Sequence, residues 1–170
     1  MQKSKTWDEY SQEFNVAAVQ QGLSNSQTQE LLAYARQLYF SDLPIIYDIV
    51  HLGLLTGFDD EYIRRAMGNP ERFYRHYQIE KKNGGMRQIS EPLPNLKEIQ
   101  SWILENILYK FECSVYSKAY KKGGSIKSNA KFHKNQDIVL SLDIENYFPS
   151  LNRKSTVNFF LSMGYNSLVA

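Results

Sequence analysis

The chain has 170 residues, of which 42% are hydrophobic and 22% charged, so it is long enough and apolar enough to bury a core. Its single cysteine, Cys113, excludes an internal disulfide. No apolar run approaches the ~18 residues of a membrane span, and the N-terminus lacks the apolar core of a signal peptide. These features predict a cytoplasmic protein with no membrane partner.

The net charge of +2 hides an uneven distribution along the chain. Residues 1–71 hold 5 Lys or Arg against 10 Asp or Glu, residues 72–134 hold 13 against 5, and residues 135–170 hold 2 against 3. Aromatic residues are interleaved with the cations of the middle segment. Such a segment is typical of a surface that binds nucleic acid or nucleotides, but a solvated basic face has the same composition.

Residues 1–70 carry the periodicity of helices. Ser26 and Gln29 have the spacing of a capping box, and apolar residues then recur at helical spacing as far as Phe40. Further helices are expected from about Pro44 to Gly53 and from Asp60 to Met67. These apolar stripes are typical of a core and indicate no chemistry.

Two short alternating runs, Tyr74–Glu80 and Met86–Ser90, flank a link with adjacent glycines and predict a β-hairpin. Its tip carries three cations, Lys81, Lys82 and Arg87. An Arg side chain grips two phosphate oxygens and a Lys adds a point charge, so these cations suit a triphosphate. A basic surface turn without a ligand has the same pattern, and both interpretations stay open on the sequence alone.

A capping signal at Asn95 and Glu98 predicts one long amphipathic helix that ends near Glu112. In the segment 119–134 that follows, cations and small polar residues alternate with aromatic residues. Backbone amides, hydroxyl groups and lysines of this kind can hold a sugar-phosphate backbone without reading bases. The candidate nucleic-acid contacts are Lys82, Lys121, Lys122, Ser125, Lys127, Asn129 and His133.

Residues 138–144 alternate large apolar side chains with smaller or polar ones and predict a strand. Asp143 lies on the less apolar face, near the end of that strand. A carboxylate buried there alone would cost several kcal/mol, so Asp143 should be exposed, paired or bound to a cation. An Asp that merely caps the next turn is the alternative. Beyond Pro149, Asn152 is expected to cap a helix that Gly164 ends.

Four motifs follow one another between residues 73 and 165. They are Tyr77-x-Ile79-x-Lys81-Lys82-x-Gly84-Gly85-x-Arg87-x-Ile89 followed by Pro92; Leu96-Lys97-x-Ile99-Gln100 with Ile103-Leu104 and Ile107-Leu108; Ser125-Ile126-x-x-Asn129-Ala130-x-x-His133; and Leu142-Asp143-Ile144-x-x-Tyr147-Phe148-Pro149-Ser150-Leu151. Each motif alone is weak evidence, whereas their order and spacing are specific. Together they resemble the N-terminal half of a bacterial retron-type reverse transcriptase, with its fingers and the start of its palm.

The resemblance implies roles for individual residues. Asp143 matches the first catalytic aspartate of the palm, a ligand to two Mg²⁺ ions, and the main-chain oxygen of Ile144 matches a further metal ligand. Phe148 matches the side chain that packs under the incoming sugar and excludes a 2′-OH. The amides of Asn146 and Tyr147 would lie near the triphosphate, Lys81 and Arg87 would neutralise it, and residues 119–134 would lie along the template.

The fold that the resemblance implies is α+β. It has a helical N-terminal region at residues 1–70, a fingers-like nucleotide and nucleic-acid binding region with a β-hairpin at 71–136, and the first strand and helix of a right-hand polymerase palm at 137–170. The family also has a Tyr-x-Asp-Asp turn with further metal ligands, and these 170 residues contain none after Asp143. One carboxylate is too few for two Mg²⁺ ions, so this stretch is expected to be inactive by itself.

The function that the resemblance implies is RNA-directed DNA synthesis. The complete protein would use dNTPs to copy a structured noncoding RNA, which is both template and primer, into an RNA-linked DNA product (msDNA). The family further implies a role in antiphage defence, often with an effector protein. Two alternatives stay open: a non-catalytic RNA-binding fragment, and a reverse transcriptase of the group II intron or abortive-infection type.

Overall fold

A computed structural model describes residues 5–119, 123–145 and 147–170, apart from the side chains of Phe132 and Pro149. The structure is α+β, as predicted. Short 3₁₀ turns at Pro70–Phe73, Leu108–Lys110 and Lys131–His133 connect some of its elements. In chain order, the α-helices and β-strands are α1 (Trp7–Gln20), α2 (Asn25–Phe40), α3 (Ile49–Thr56), α4 (Asp60–Gly68), β1 (Tyr74–Glu80), β2 (Met86–Pro92), α5 (Pro94–Asn106), α6 (Ile126–Ala130), α7 (Tyr147–Ser150) and α8 (Arg153–Ser162).

The N-terminal helices confirm the helical prediction for this part of the chain, but α2 begins at a different cap. The capping box consists of Ser24 and Gln27, not of Ser26 and Gln29. Both pairs have the same spacing in the sequence. Ser24 has the extended backbone of a cap residue, and its Oγ accepts a hydrogen bond from the Gln27 amide, whereas Ser26 already lies in the first helical turn.

Helix α3 also differs from the prediction at its start. It begins after Asp48, whose carboxylate accepts a hydrogen bond from the His51 amide at 2.8 Å, and not at Pro44. Three of the four carbonyl groups of residues 44–47 accept hydrogen bonds from side chains elsewhere in the chain. Tyr34, Tyr165 and Asn166 donate hydrogen bonds to the carbonyls of Ile46, Pro44 and Tyr47, respectively. Tertiary contacts thus hold this segment out of a helix.

The hydrophobic core joins the N-terminal helices to the far end of the chain. Its buried side chains come from α2, from the segment before α3, from the end of α5 and from the residues just after α8. Partly buried residues such as Trp102 and Phe160 pack around them. The buried members are Leu38, Leu43, Ile46, Ile107, Met163 and Tyr165.

Helix α5 begins and ends earlier than the sequence predicts. Its cap residue is Leu93, without a side-chain hydrogen bond, so the predicted cap at Asn95 is wrong. Pro94 occupies the first helical position, where its missing N–H costs nothing and its fixed φ suits the helix. The helix stops at Asn106, because the next residue, Ile107, turns into the core and is only 3% exposed.

Among the described residues, no helix is long and apolar enough to cross a bilayer.

The helix predicted after Asn152 is present as α8. The Asn152 side chain accepts a hydrogen bond from the Ser155 amide at 2.9 Å, and the helix ends just before Gly164. Residues that follow α8 return to the N-terminal helices, where Met163 and Tyr165 complete the core.

Candidate nucleotide and nucleic-acid interface

The β-hairpin forms as predicted. Strands β1 and β2 pair antiparallel, from Tyr74 opposite Pro92 to Glu80 opposite Met86. The turn is closed by the Lys81 amide, which donates to the Gly85 carbonyl at 2.9 Å. Gly84 and Gly85 have φ angles of 80° and 81°, a left-handed conformation that L side chains rarely adopt. The adjacent glycines therefore shape the tip on which the predicted cations lie.

The tip of the hairpin forms an open groove of about 520 Å³. Arg87 lies directly opposite Ile79 in the strand register, so both side chains project from the same face. The structure thus brings Lys81, Lys82 and Arg87 together, as the sequence predicts. The groove is lined by Ile79, Glu80, Lys81, Lys82, Asn83 and Arg87. We call it the tip groove.

The strand register also explains the spacing of the first motif. Tyr77 lies opposite Ile89, and Ile79 lies opposite Arg87. Because side chains alternate between the two faces of a strand, these four residues share one face. Tyr77 and Ile79 are 44% and 43% exposed, so this face is not part of the core. The motif therefore forms an exposed, partly apolar strip that leads to the cationic tip.

The glycine and serine segment after α5 contributes a short helix, α6. Ser125 caps it, because its Oγ accepts from the Ser128 amide at 3.1 Å and the Ser128 Oγ accepts from the Ser125 amide at 3.2 Å. The predicted contact residues Lys127, Asn129 and His133 are exposed. Two other predicted contacts, Lys121 and Lys122, lie outside the described residues.

The strand predicted for residues 138–144 is not present in the structure. A strand needs a neighbour with which to exchange backbone hydrogen bonds, and among the described residues the sheet contains β1 and β2 alone. The alternating apolar residues therefore lie uncovered. Ile138, Leu140, Leu142 and Ile144 are 87%, 77%, 82% and 69% exposed. The apolar face that the sequence predicts exists, but nothing in the described structure packs on it.

Asp143 is exposed, as expected of an acid at this position. Its carboxylate and the Ile144 carbonyl are hard oxygen ligands of the kind that Mg²⁺ prefers. The described residues nevertheless contain no group of three or more His, Cys, Asp or Glu that could hold a metal ion. These residues by themselves do not fit a pair of Mg²⁺ ions.

Tyr147 and Phe148 begin the short helix α7. Their rings are 5.3 Å apart in an edge-to-face arrangement, and they are 50% and 61% exposed. Pro149 lies in the first turn of this helix, where a backbone N–H would have no partner within the helix. Asn146 lies outside the described residues. Neither Asp143 nor Phe148 lines the tip groove. The structure therefore does not bring the predicted catalytic residue and sugar gate into the same groove as the predicted triphosphate contacts.

Sequence reasoning missed a second basic pocket at the base of the hairpin. It is open, has a volume of about 440 Å³, and lies where α4 ends and the chain turns toward β1. Two of its residues, Arg65 and Arg72, fall on either side of the boundary between the acidic and the basic segments, so neither stood out in the sequence. We call it the base pocket, and its lining residues are Arg65, Gly68, Asn69, Arg72 and Phe73.

Comparison with known proteins gives a consistent set of relatives. The chain is 35% identical over 130 residues to the retron Ec86 reverse transcriptase of Escherichia coli, a match that covers 75% of this chain and 41% of that protein. It is 26% identical over 170 residues to the retron Mx65 reverse transcriptase of Myxococcus xanthus, covering 98% of this chain and 40% of that protein. It is 38% identical over 111 residues to the retron Ec73 reverse transcriptase of Escherichia coli, covering 62% of this chain and 33% of that protein.

No protein-family model matches the chain. The chain spans about two fifths of the length of relatives such as the Ec86 and Mx65 enzymes. The resemblance that the four motifs carry is confirmed by these relatives, each of which is a retron reverse transcriptase. The chain is therefore similar to the N-terminal part of the retron reverse transcriptases.

Proposed function

We propose that the complete protein is an RNA-directed DNA polymerase that copies a structured noncoding RNA into msDNA. The observation that carries this proposal is the similarity to several retron reverse transcriptases, one of which matches 98% of the chain. The tip groove supports it independently, because its lining includes three cations of the kind that bind phosphate oxygens. The protein would act in the cytoplasm, in antiphage defence, with an effector protein as a further partner.

The proposed roles follow the motifs. Lys81 and Arg87 neutralise the triphosphate of the incoming dNTP, since both cations line the open tip groove. Phe148, exposed at the start of α7, packs under the sugar of that nucleotide. The amides of Asn146 and Tyr147 lie near its phosphates. Template contacts would come from Lys82, Lys121, Lys122, Ser125, Lys127, Asn129 and His133.

Asp143 is the proposed catalytic carboxylate and, with the Ile144 carbonyl, a proposed ligand of Mg²⁺. Because the described residues hold no complete set of metal ligands, further carboxylates must come from elsewhere in the complete protein. The uncovered apolar side chains around Asp143 support this proposal, because a strand with that pattern requires neighbouring strands and a covering layer. Residues 137–170 would then be the beginning of a palm, after a fingers-like region at 71–136 and a helical region at 1–70.

The test is incorporation of labelled dNTPs by the complete protein on its RNA in the presence of Mg²⁺. Asp143→Ala should abolish incorporation, whereas Asp137→Ala, at another exposed aspartate six residues earlier, should retain it. Full activity in Asp143→Ala would overturn the catalytic assignment. A second variant, Phe148→Ala, should keep dNTP incorporation and lose discrimination against ribonucleotides. Unchanged discrimination would remove the role as a sugar gate.

A non-catalytic RNA-binding protein is the second candidate, and the exposed polar and cationic residues Lys127, Asn129 and His133 favour it. It predicts salt-sensitive RNA binding without dNTP incorporation at any Mg²⁺ concentration. A group II intron or abortive-infection type of reverse transcriptase would instead polymerise with a different choice of primer. Supplying separate RNA and DNA primers in the incorporation assay distinguishes these enzymes from the retron type.

A further inference from the structure

The base pocket contains two guanidinium groups without a carboxylate partner. Arg65 comes from the last turn of α4 and Arg72 from the 3₁₀ turn that follows it, and both are exposed. Neither forms an ion pair with any carboxylate that the structure describes. Arg64, the neighbour of Arg65, differs in this respect, since its Nε donates to the Asp60 carboxylate at 3.2 Å. The pocket thus holds two uncompensated positive charges.

The other lining residues suit a ligand that has both an anion and a flat apolar part. Phe73 is half-buried and is held edge-to-face by Tyr62, with ring centroids 5.1 Å apart. Asn69 adds a side-chain amide, and the space beside Gly68 is open, since a Cβ added there would meet no atom within 4 Å. Arginine next to an aromatic ring is the combination that binds the phosphates and the bases of single-stranded nucleic acid.

The position of the base pocket indicates a polymeric ligand. Strand β1, with 7 residues, separates Phe73 from the cations of the tip groove. At about 3.4 Å per strand residue the two sites lie roughly 24 Å apart, which corresponds to about seven stacked nucleotides. A single nucleotide that fills the tip groove therefore does not reach the base pocket. Arg75 and Tyr77, both exposed on β1, lie between the two sites.

We propose that the base pocket is a second anion site that holds a phosphate and an adjacent base of a single-stranded RNA running along the hairpin. This inference rests on the proposed function only in taking RNA as the ligand, and it does not require polymerisation. Arg65 and Arg72 grip the sugar-phosphate backbone and Phe73 stacks with a base. The contacts are independent of sequence, because phosphates and ring faces are common to all nucleotides.

The experiment measures binding of a fluorescently labelled, unstructured single-stranded RNA to the complete protein at several salt concentrations. The double variant Arg65→Gln/Arg72→Gln should weaken binding by about tenfold and reduce the slope of log K against log salt by about 0.7, as expected when one phosphate of a single strand is no longer neutralised. The matched control is Arg64→Gln on the same helix, which should bind RNA like the wild type. Asp143→Ala should also bind RNA normally, which separates this proposal from the polymerase assignment.

Two further measurements complete the test. Affinity for a free dNTP should be unchanged in the double variant, because the tip groove is intact. Thermal denaturation should be unchanged as well, because both arginines are exposed and make no ion pair among the described residues. Equal RNA affinity and salt slope in the double variant and in Arg64→Gln would overturn the proposal. A parallel loss of dNTP affinity would overturn the assignment to a polymer and indicate a nucleotide site.

Discussion

Tyr165 and Pro44 are 121 positions apart in the sequence, and the Tyr165 hydroxyl donates a hydrogen bond to the Pro44 carbonyl at 3.2 Å. Tyr165 is 2% exposed, and this burial raises the pKa of its phenol, so the group stays a neutral donor. Asn166 makes the equivalent contact with the Tyr47 carbonyl. The end of the described chain therefore holds the segment before α3 in place and completes the core.

This relationship predicts that Tyr165→Phe lowers the free energy of unfolding by about 1 kcal/mol, because the Pro44 carbonyl loses its partner while the packing of the ring is retained. Tyr165→Ala should cost about 3–5 kcal/mol, since it also leaves a cavity in the core. Urea denaturation of the chain measures both values. Tyr116→Phe, at an 80% exposed tyrosine, is the control and should have almost no effect. Equal stability of Tyr165→Ala and wild type would contradict the role of this side chain in the core.

The choice between two serines at the start of α2 gives a second prediction. Ser24→Ala removes the capping hydrogen bond to the Gln27 amide and should cost about 1 kcal/mol. Ser26→Ala should be neutral or slightly stabilising, because alanine is the better residue within a helix. The change in the urea midpoint measures both. A larger loss in Ser26→Ala than in Ser24→Ala would mean that the helix uses the later capping box.

His51 gives a prediction about pH. Its ring stacks on Tyr47 with centroids 5.5 Å apart, its Nδ1 is buried without a hydrogen-bond partner in the described part of the chain, and burial lowers its pKa against the opposing effect of Asp48. The unfolded chain, with a His pKa of about 6.5, then binds a proton at a higher pH than the folded chain. The free energy of unfolding should therefore fall as the pH drops below about 6.5, until the lower folded pKa is passed.

His51→Phe tests this prediction, since it keeps a flat ring against Tyr47 and removes the titration. Its urea midpoint should change less between about pH 7 and pH 5 than that of the wild type. His133→Gln, at an exposed histidine, serves as the control and should keep the dependence of the wild type. The same pH dependence in His51→Phe and in the wild type would assign the effect to other groups.

The tip groove gives a prediction that depends on the proposed function. Arg87→Gln in the complete protein should raise the KM for dNTP by about tenfold, because one charged hydrogen bond to a phosphate contributes about 1.5 kcal/mol. Arg87→Lys should restore part of this loss, since it keeps the charge without the bidentate geometry. Steady-state dNTP incorporation measures the constants. Lys97→Gln, at an exposed cation on α5 outside the groove, is the matched control. An unchanged KM in Arg87→Gln would remove the tip groove from nucleotide binding.

The sequence predicts most of the local structure because local signals specify it. The glycines of the hairpin turn, the alternation in β1 and β2 and the cap at Asn152 each act within a few residues, and the structure confirms all three. The predicted caps at Ser26 and Asn95 are wrong, because a second motif of equal spacing or a proline nearby offers a better start. Short-range patterns thus predict that a helix exists more reliably than they predict the residue at which it begins.

In the candidate site, too, the sequence predicts the features that depend on nearby residues and misses those that depend on distant ones. Lys81, Lys82 and Arg87 are close in sequence, and the hairpin register brings them into one groove. Asp143 and its apolar neighbours have the pattern of a strand, but a strand requires partners that the described residues do not provide. The base pocket could not be read from the sequence, because Arg65 and Arg72 lie in segments of opposite net charge and meet only through the turn after α4.

By itself, the sequence determined the class of the fold, the hairpin with its cationic tip and the resemblance to a family, since these depend on spacing within short segments and on motif order. Only the tertiary structure decided that residues 44–47 stay out of a helix and that Tyr165 closes the core. It also decided that the two arginines at the base of the hairpin share a pocket. The first two features arise from hydrogen bonds and packing between distant segments, whose energies no local pattern encodes. The two arginines share a pocket because of the geometry of the turn that follows α4.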